Sequence, residues 1–110
     1  MGSALEPGML NARLVLERPE ETPDGQGGAA VSFIAMASLW AHIEPVAAKA
    51  DEAAGTLRVA VTHRIRLRWR GDLAGGMRLH KGERLFEIRA FCDPDETRRY
   101  LICDCEEIKP

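Results

Sequence analysis

The stretch Leu57-Arg58-Val59-Ala60-Val61-Thr62-His63-Arg64-Ile65-Arg66-Leu67-Arg68-Trp69-Arg70 decides how the chain is read. Leu57, Val59, Val61, His63, Ile65, Leu67 and Trp69 fall on one side of a two-residue period. Arg58, Ala60, Thr62, Arg64, Arg66, Arg68 and Arg70 fall on the other. Successive side chains of a β-strand point to opposite faces, so this is a long strand with one face for a core. The other face carries the arginines.

The same period recurs along the chain. Ala12, Leu14 and Leu16 alternate with Arg13, Val15 and Glu17, a strand over 12–18. Residues 19–28, rich in proline, glycine and acid, read as a long mobile loop. Every odd position from Val31 to Ile43 is apolar, which gives one bent strand or two in succession, ending at Pro45. The alanines also permit a helix, which propensity alone would favour, but the alternation outweighs it. Residues 47–54 are strong helix formers followed by Gly55, so a two-turn helix is expected there. Gly71 to Gly76 breaks the long strand. Met77–His80 and Glu83–Arg89 form a hairpin across Lys81-Gly82, Asp93–Glu96 is a turn, and Arg99–Glu106 is a last strand with Leu101, Cys103 and Cys105 on its apolar face. About six strands with hairpin connections and one short helix near 47–55 predict a mainly β fold. The expected architecture is a small antiparallel β-barrel, SH3-like or sandwich-like, in a single domain over 1–110.

Composition narrows the function. In 110 residues, 45% are hydrophobic and 29% charged, a globular balance. Two Trp, three Phe and one Tyr are few for a base-stacking surface, and the net charge of −2 provides no overall field toward DNA or anionic membrane. The charge is uneven: residues 1–55 carry a net −5 and residues 56–110 a net +3. Such asymmetry suits a subunit that meets its own kind or other proteins, unless the two halves interleave in the fold. No signal peptide or membrane span is legible, and Glu6 stands where a myristoylation motif needs Ser or Thr. Cys103 and Cys105 lie on one strand face, where a local disulfide is not expected, so a reducing cytoplasm is the natural compartment.

Catalytic chemistry finds little to build on. His42, His63 and His80 sit in different elements, no Cys-x-x-Cys pair is present, and the three serines, Ser3, Ser32 and Ser38, lie in no nucleophile motif. Gly25-Gln26-Gly27-Gly28 lacks the Lys-Ser/Thr of a phosphate loop. No enzyme activity, metal or cofactor is expected. The distinctive feature is the stripe Arg64, Arg66, Arg68 and Arg70, whose alternate positions set four guanidinium groups along about 20 Å. Guanidinium groups that close need carboxylates, phosphates or open water. Either Glu83 or Glu87 neutralises them across the sheet, or they form a contact with another subunit, another protein or, least supported, DNA phosphates. Lys49, Asp51 and Glu52 on the short helix are either part of a plain crossover or of a gate projecting into a pore.

In order and spacing, several segments together resemble the head–tail joining, or head-closure (stopper), proteins of long-tailed bacteriophages, prophages and gene transfer agents. They are Leu14-Val15-Leu16-Glu17-Arg18-Pro19 with its Gly-rich turn, Leu39-Trp40-Ala41-His42-Ile43-Glu44-Pro45, Val61-Thr62-His63-Arg64-Ile65-Arg66-Leu67-Arg68-Trp69-Arg70, Gly76-Met77-Arg78-Leu79 and Arg84-Leu85-Phe86-Glu87-Ile88. The resemblance runs from about Leu10 to Glu106. It implies a β-barrel subunit of a virion neck: a homo-oligomeric ring, expected as a hexamer, below the portal and its adaptor. That ring would close the DNA-filled head and dock the tail terminator or tail tube. Packaged DNA would pass without sequence specificity, no membrane would be involved, and no catalysis or cofactor is implied.

The resemblance also implies that the segment 47–56, with Lys49, Asp51 and Glu52, faces the lumen. Within that picture Arg64, Arg66, Arg68 and Arg70 are candidates for subunit or ring-to-ring contacts. The loop with Glu20, Glu21 and Asp24 is a candidate docking loop that orders on a neighbour. The alternatives are a stand-alone β-barrel that binds nucleic acid, or a metabolic or toxin–antitoxin accessory domain.

Overall fold

The computed structural model describes residues 9–46 and 60–108. Six strands follow in chain order: β1 (Ala12–Pro23), β2 (Ala29–Pro45), β3 (His63–Arg68), β4 (Arg78–Lys81), β5 (Arg84–Cys92) and β6 (Tyr100–Ile108). They close into a barrel in the order β1-β2-β3-β6-β5-β4, and every pairing is antiparallel. The expected mainly β barrel is therefore the observed fold. The helix expected at 47–54, the lumen-facing segment 47–56 with Lys49, Asp51 and Glu52, and Leu57–Val59 at the start of the long strand lie outside the described residues.

The core is the apolar face of each strand. Leu14 and Leu16 of β1, Ala41 of β2, Ile65 and Leu67 of β3, Leu79 of β4, Phe86 and Ile88 of β5, and Leu101, Cys103 and Cys105 of β6 form one buried cluster, with Met77 at its edge. Phe86 is the largest side chain fully inside. The His63 ring meets it in a T-shaped contact, with centroids 5.2 Å apart. Strand β3 is shorter than the alternation implies, but hydrogen bonding continues past both ends: Thr62 N–H donates to Cys105 C=O and Trp69 N–H to Arg99 C=O, each at 2.9 Å. The β4–β5 hairpin turns on Gly82-Glu83, with Gly82 at φ +61° supplying the left-handed conformation that the first turn residue needs.

Two expectations change. Residues 19–23 are not loop but the outer half of β1, paired with β2 from Pro19↔Phe33 to Pro23↔Ala29. Proline cannot donate to a ladder and is confined to edge strands. Past Glu17, β1 pairs only with β2, since its ladder with β4 spans Val15–Glu17, so the prolines are tolerated. Only Asp24–Gly28 turns. There Asp24 Oδ1 accepts from the Gln26 and Gly28 amides at 2.8 and 3.1 Å, which holds its carboxyl below the usual carboxylate range. The result is a two-stranded arm of about 20 Å standing off the barrel. The molecule accordingly measures 54 × 38 × 27 Å.

The odd-numbered apolar positions from Val31 to Ile43 also do not share one face. Leu16 pairs with Ala37 but Glu17 with Ala35, so Met36 is an extra residue in β2. This bulge inverts the alternation. Val31, Phe33 and Ala35 turn to the side of Glu17 and Pro19, while Met36 packs on the core.

Two predictions test this core. Phe86→Ala is expected to cost about 3–5 kcal/mol of stability in a denaturant titration. Burial pushes the Cys103 thiol up to about 12 and the Cys105 thiol higher still, while unfolded thiols ionise near 9.0. Above that value the unfolded chain binds fewer protons than the fold, so stability falls as pH rises. Under reductant, Cys103→Val should make that fall shallower by about 1.4 kcal/mol per pH unit between about pH 9.5 and 11, measured by urea unfolding.

Candidate functional site

With Ile65 and Leu67 turned into the barrel, Arg64, Arg66 and Arg68 line the outside of β3, and Arg70 follows past its end. Because β3 lies between β2 and β6, its acidic neighbours come from those strands. Arg64 Nε donates to Asp104 Oδ1 at 3.2 Å, and Arg66 stands 3.8 Å from Glu44. Glu83 and Glu87 do not serve this role: Glu83 is in the β4–β5 turn, and Glu87 sits 2.9 Å from Arg89. Arg70 makes a two-pronged pair with Asp72 at 2.9 and 2.7 Å, which lowers the carboxyl and raises the guanidinium pKa. Arg66 Nε is buried with no hydrogen-bond partner. The stripe is thus largely neutralised within the subunit, and Arg68 is its one member without an ion-pair partner among the described residues.

The rest of the barrel wall follows the same scheme. Glu17, mostly buried, accepts from Arg78 Nε at 2.6 Å and stands 3.3 Å from His80 Nε2. Arg84 forms a two-pronged pair with Glu107, beside His63, and Arg89 pairs with Glu106. Arg78 also covers the Phe33 ring at 3.7 Å. Such partly exposed pairs each contribute little alone.

One surface breaks the scheme. Register places Arg13 opposite Trp40 and sets Trp40 beside Arg68, which faces Tyr100, a row across four strands. Trp40 is 50% exposed and Trp69 37% exposed. Arg13 lies over the Trp40 ring at 5.1 Å, and Arg98 over Trp69 at 5.5 Å. Leu39, Trp40, Arg68, Trp69 and Arg70 line a groove of ≈ 280 Å³. Trp69 belongs by alternation to the core face, yet it sits at the barrel rim because β3 stops at Arg68. Trp40 falls among the mixed even positions of β2, so its part in a surface was not legible before the register was known.

The acidic candidates lie on the arm. Glu20 and Glu21 are in the outer half of β1 and Asp24 opens its turn, all exposed. Glu21 pairs across the arm with Val31, which is 55% exposed. Among the described residues no group of three or more His, Cys, Asp and Glu side chains is placed to hold a metal ion. Cys92, Cys103 and Cys105 are free thiols, the last two buried. Among those residues no helix is long and apolar enough to cross a membrane.

Comparison with known proteins places this architecture. The sequence model of the phage head completion protein family matches residues 5–108. A chain of the virion of a native gene transfer agent particle is similar at 28% identity with a TM-score of 0.68, over 90% of this chain and 96% of that one. The solution structure of protein SF1141 from Shigella flexneri 2a is similar at 25% identity with a TM-score of 0.69, over 94% and 96% of the two chains. No curated protein matches.

The Glu17 carboxylate, shared by Arg78 and His80, gives a direct test of the wall. Glu17→Gln leaves the Arg78 guanidinium without its charged partner and is expected to cost about 1–3 kcal/mol. Thermal or urea unfolding checks it, with the exposed Glu20→Gln as a near-neutral control.

Proposed function

This chain belongs to the phage head completion protein family, and from that premise we propose that it is a structural part of the neck of a tailed phage or phage-like particle. In this reading copies form a ring, a hexamer, below the portal and adaptor. The ring closes the DNA-filled head and presents the surface on which the tail docks. The subunit contributes shape and contact chemistry rather than catalysis. It waits in the bacterial cytoplasm until assembly. Packaged DNA passes through the ring without being read, which agrees with arginines that are mostly held by the chain's own carboxylates.

The observation that carries the reading is likeness over nearly the whole chain, by family and by fold together. A closed barrel with one long arm and a groove on its wall also suits a part made to be packed among neighbours. The experiment is cryo-EM of the head–tail neck in purified particles. A ring of this chain between portal side and tail, with residues 47–56 toward the lumen, is the expected result. Particles made without the chain are expected to show heads that lose DNA and remain tailless beside free, complete tails. A neck without the chain, or a monomer that binds DNA with a steep salt dependence, would instead favour the nucleic-acid-binding barrel.

A further inference from the structure

We propose that the arm of one copy docks on the Trp40–Trp69 surface of a second copy. Its Glu21 and Asp24 carboxylates meet Arg13, Arg68 and Arg98, and Val31 meets the indole rings. The inference rests on the neck-ring reading above, which sets copies side by side.

The argument starts from what each surface lacks. Arg64, Arg66, Arg70, Arg78, Arg84 and Arg89 all have carboxylate partners. Arg13, Arg18, Arg68, Arg98 and Arg99 have none among the described residues, and three of these five, Arg13, Arg68 and Arg98, border the two exposed tryptophans. On the arm, Glu20, Glu21 and Asp24 have no cationic partner among the described residues. The arm side that carries Glu21 and Val31 also carries Pro23 and Ala29, a small apolar strip edged by acid. The groove is the converse, indole and leucine edged by guanidinium. Desolvated aromatic and arginine side chains with opposite charge across the contact are the usual anchors of protein interfaces.

The arm that fills the groove comes from a second copy. Val31 and Trp40 lie nine positions apart on the continuous strand β2, about 30 Å at strand rise, so the arm has no way to fold back on its own groove. Arm and groove are different surfaces, so one copy can engage the next in a head-to-tail contact. Such a contact repeats around a ring when its rotation closes, as the neck reading requires.

The test uses particles whose chain carries Cys92→Ser with Ala29→Cys on the arm and Ser38→Cys beside Trp40. Both new thiols are exposed and sit on one strand, so a short bis-maleimide can join them only between copies. A ladder from dimer upward that needs both cysteines is expected. In the parent chain, Arg68→Glu is expected to lower the copies per particle about tenfold, and Glu21→Arg in the same chain to restore them to within about twofold. Thermal melts matching the parent establish that the variants fold. A neck that holds the chain but gives no ladder, or no recovery in the double reversal, overturns the pairing while leaving the neck reading intact. That result would point to nucleic acid or another protein on the groove. Wild-type particles lacking the chain overturn the neck reading, and this contact with it.

Discussion

The barrel exists because β1 reaches back to β4. That closing ladder is three residue pairs long, Val15↔His80, Leu16↔Leu79 and Glu17↔Arg78. The middle pair faces inward and is fully buried, which gives the seam its hydrophobic drive. The outer pairs bring Glu17 to both Arg78 and His80, so a carboxylate bridges two positions of the neighbouring strand. Without the seam, β1 and β4 would be open sheet edges and the shared core would lose its wall. Because the seam is short, β1 is interior to a closed sheet for a few residues and then becomes an edge. That single change of circumstance creates the arm.

The bulge at Met36 falls opposite the same point, between Leu16 and Glu17. An extra residue there adds local twist and turns β2 over, so the faces of the hairpin are exchanged as it leaves the barrel. Phe33 can then lie under Arg78 on the outer wall, and Val31 joins Glu21. Seam, bulge and arm are thus one construction, and the groove at the barrel rim is its counterpart where β3 ends.

Much of this was legible in the sequence where alternation is clean. Ile65 and Leu67 in β3, and Leu101, Cys103 and Cys105 in β6, are buried as their period implies. Gly82 marked the hairpin, and the Asp93 turn is present, with Asp93 accepting from the Thr97 and Arg98 amides. The misreadings came from facts that are not local. Pro19 and Pro23 signal loop only if the strand has neighbours on both sides. The odd-position pattern from Val31 to Ile43 hides the bulge because alanine and valine suit either face. The carboxylates that answer Arg64 and Arg66 could be named only once β3 was known to lie between β2 and β6, since Glu83 and Glu87 look equally plausible along the chain. The groove joins Trp40 to Trp69 across a rim that no spacing describes.

A two-stranded hairpin with both outer edges bare is where small β proteins knit into fibres, since its free amides and carbonyls template any passing strand. The β1 edge of the arm carries chemistry that opposes it. Pro19 and Pro23 withhold two donors, and Glu20 and Glu21 place adjacent negative charge on opposite sides of the same strand. The β1 edge of the arm is therefore a poor template for a further strand. The arm is left to bond through side chains, with a surface that offers the right ones.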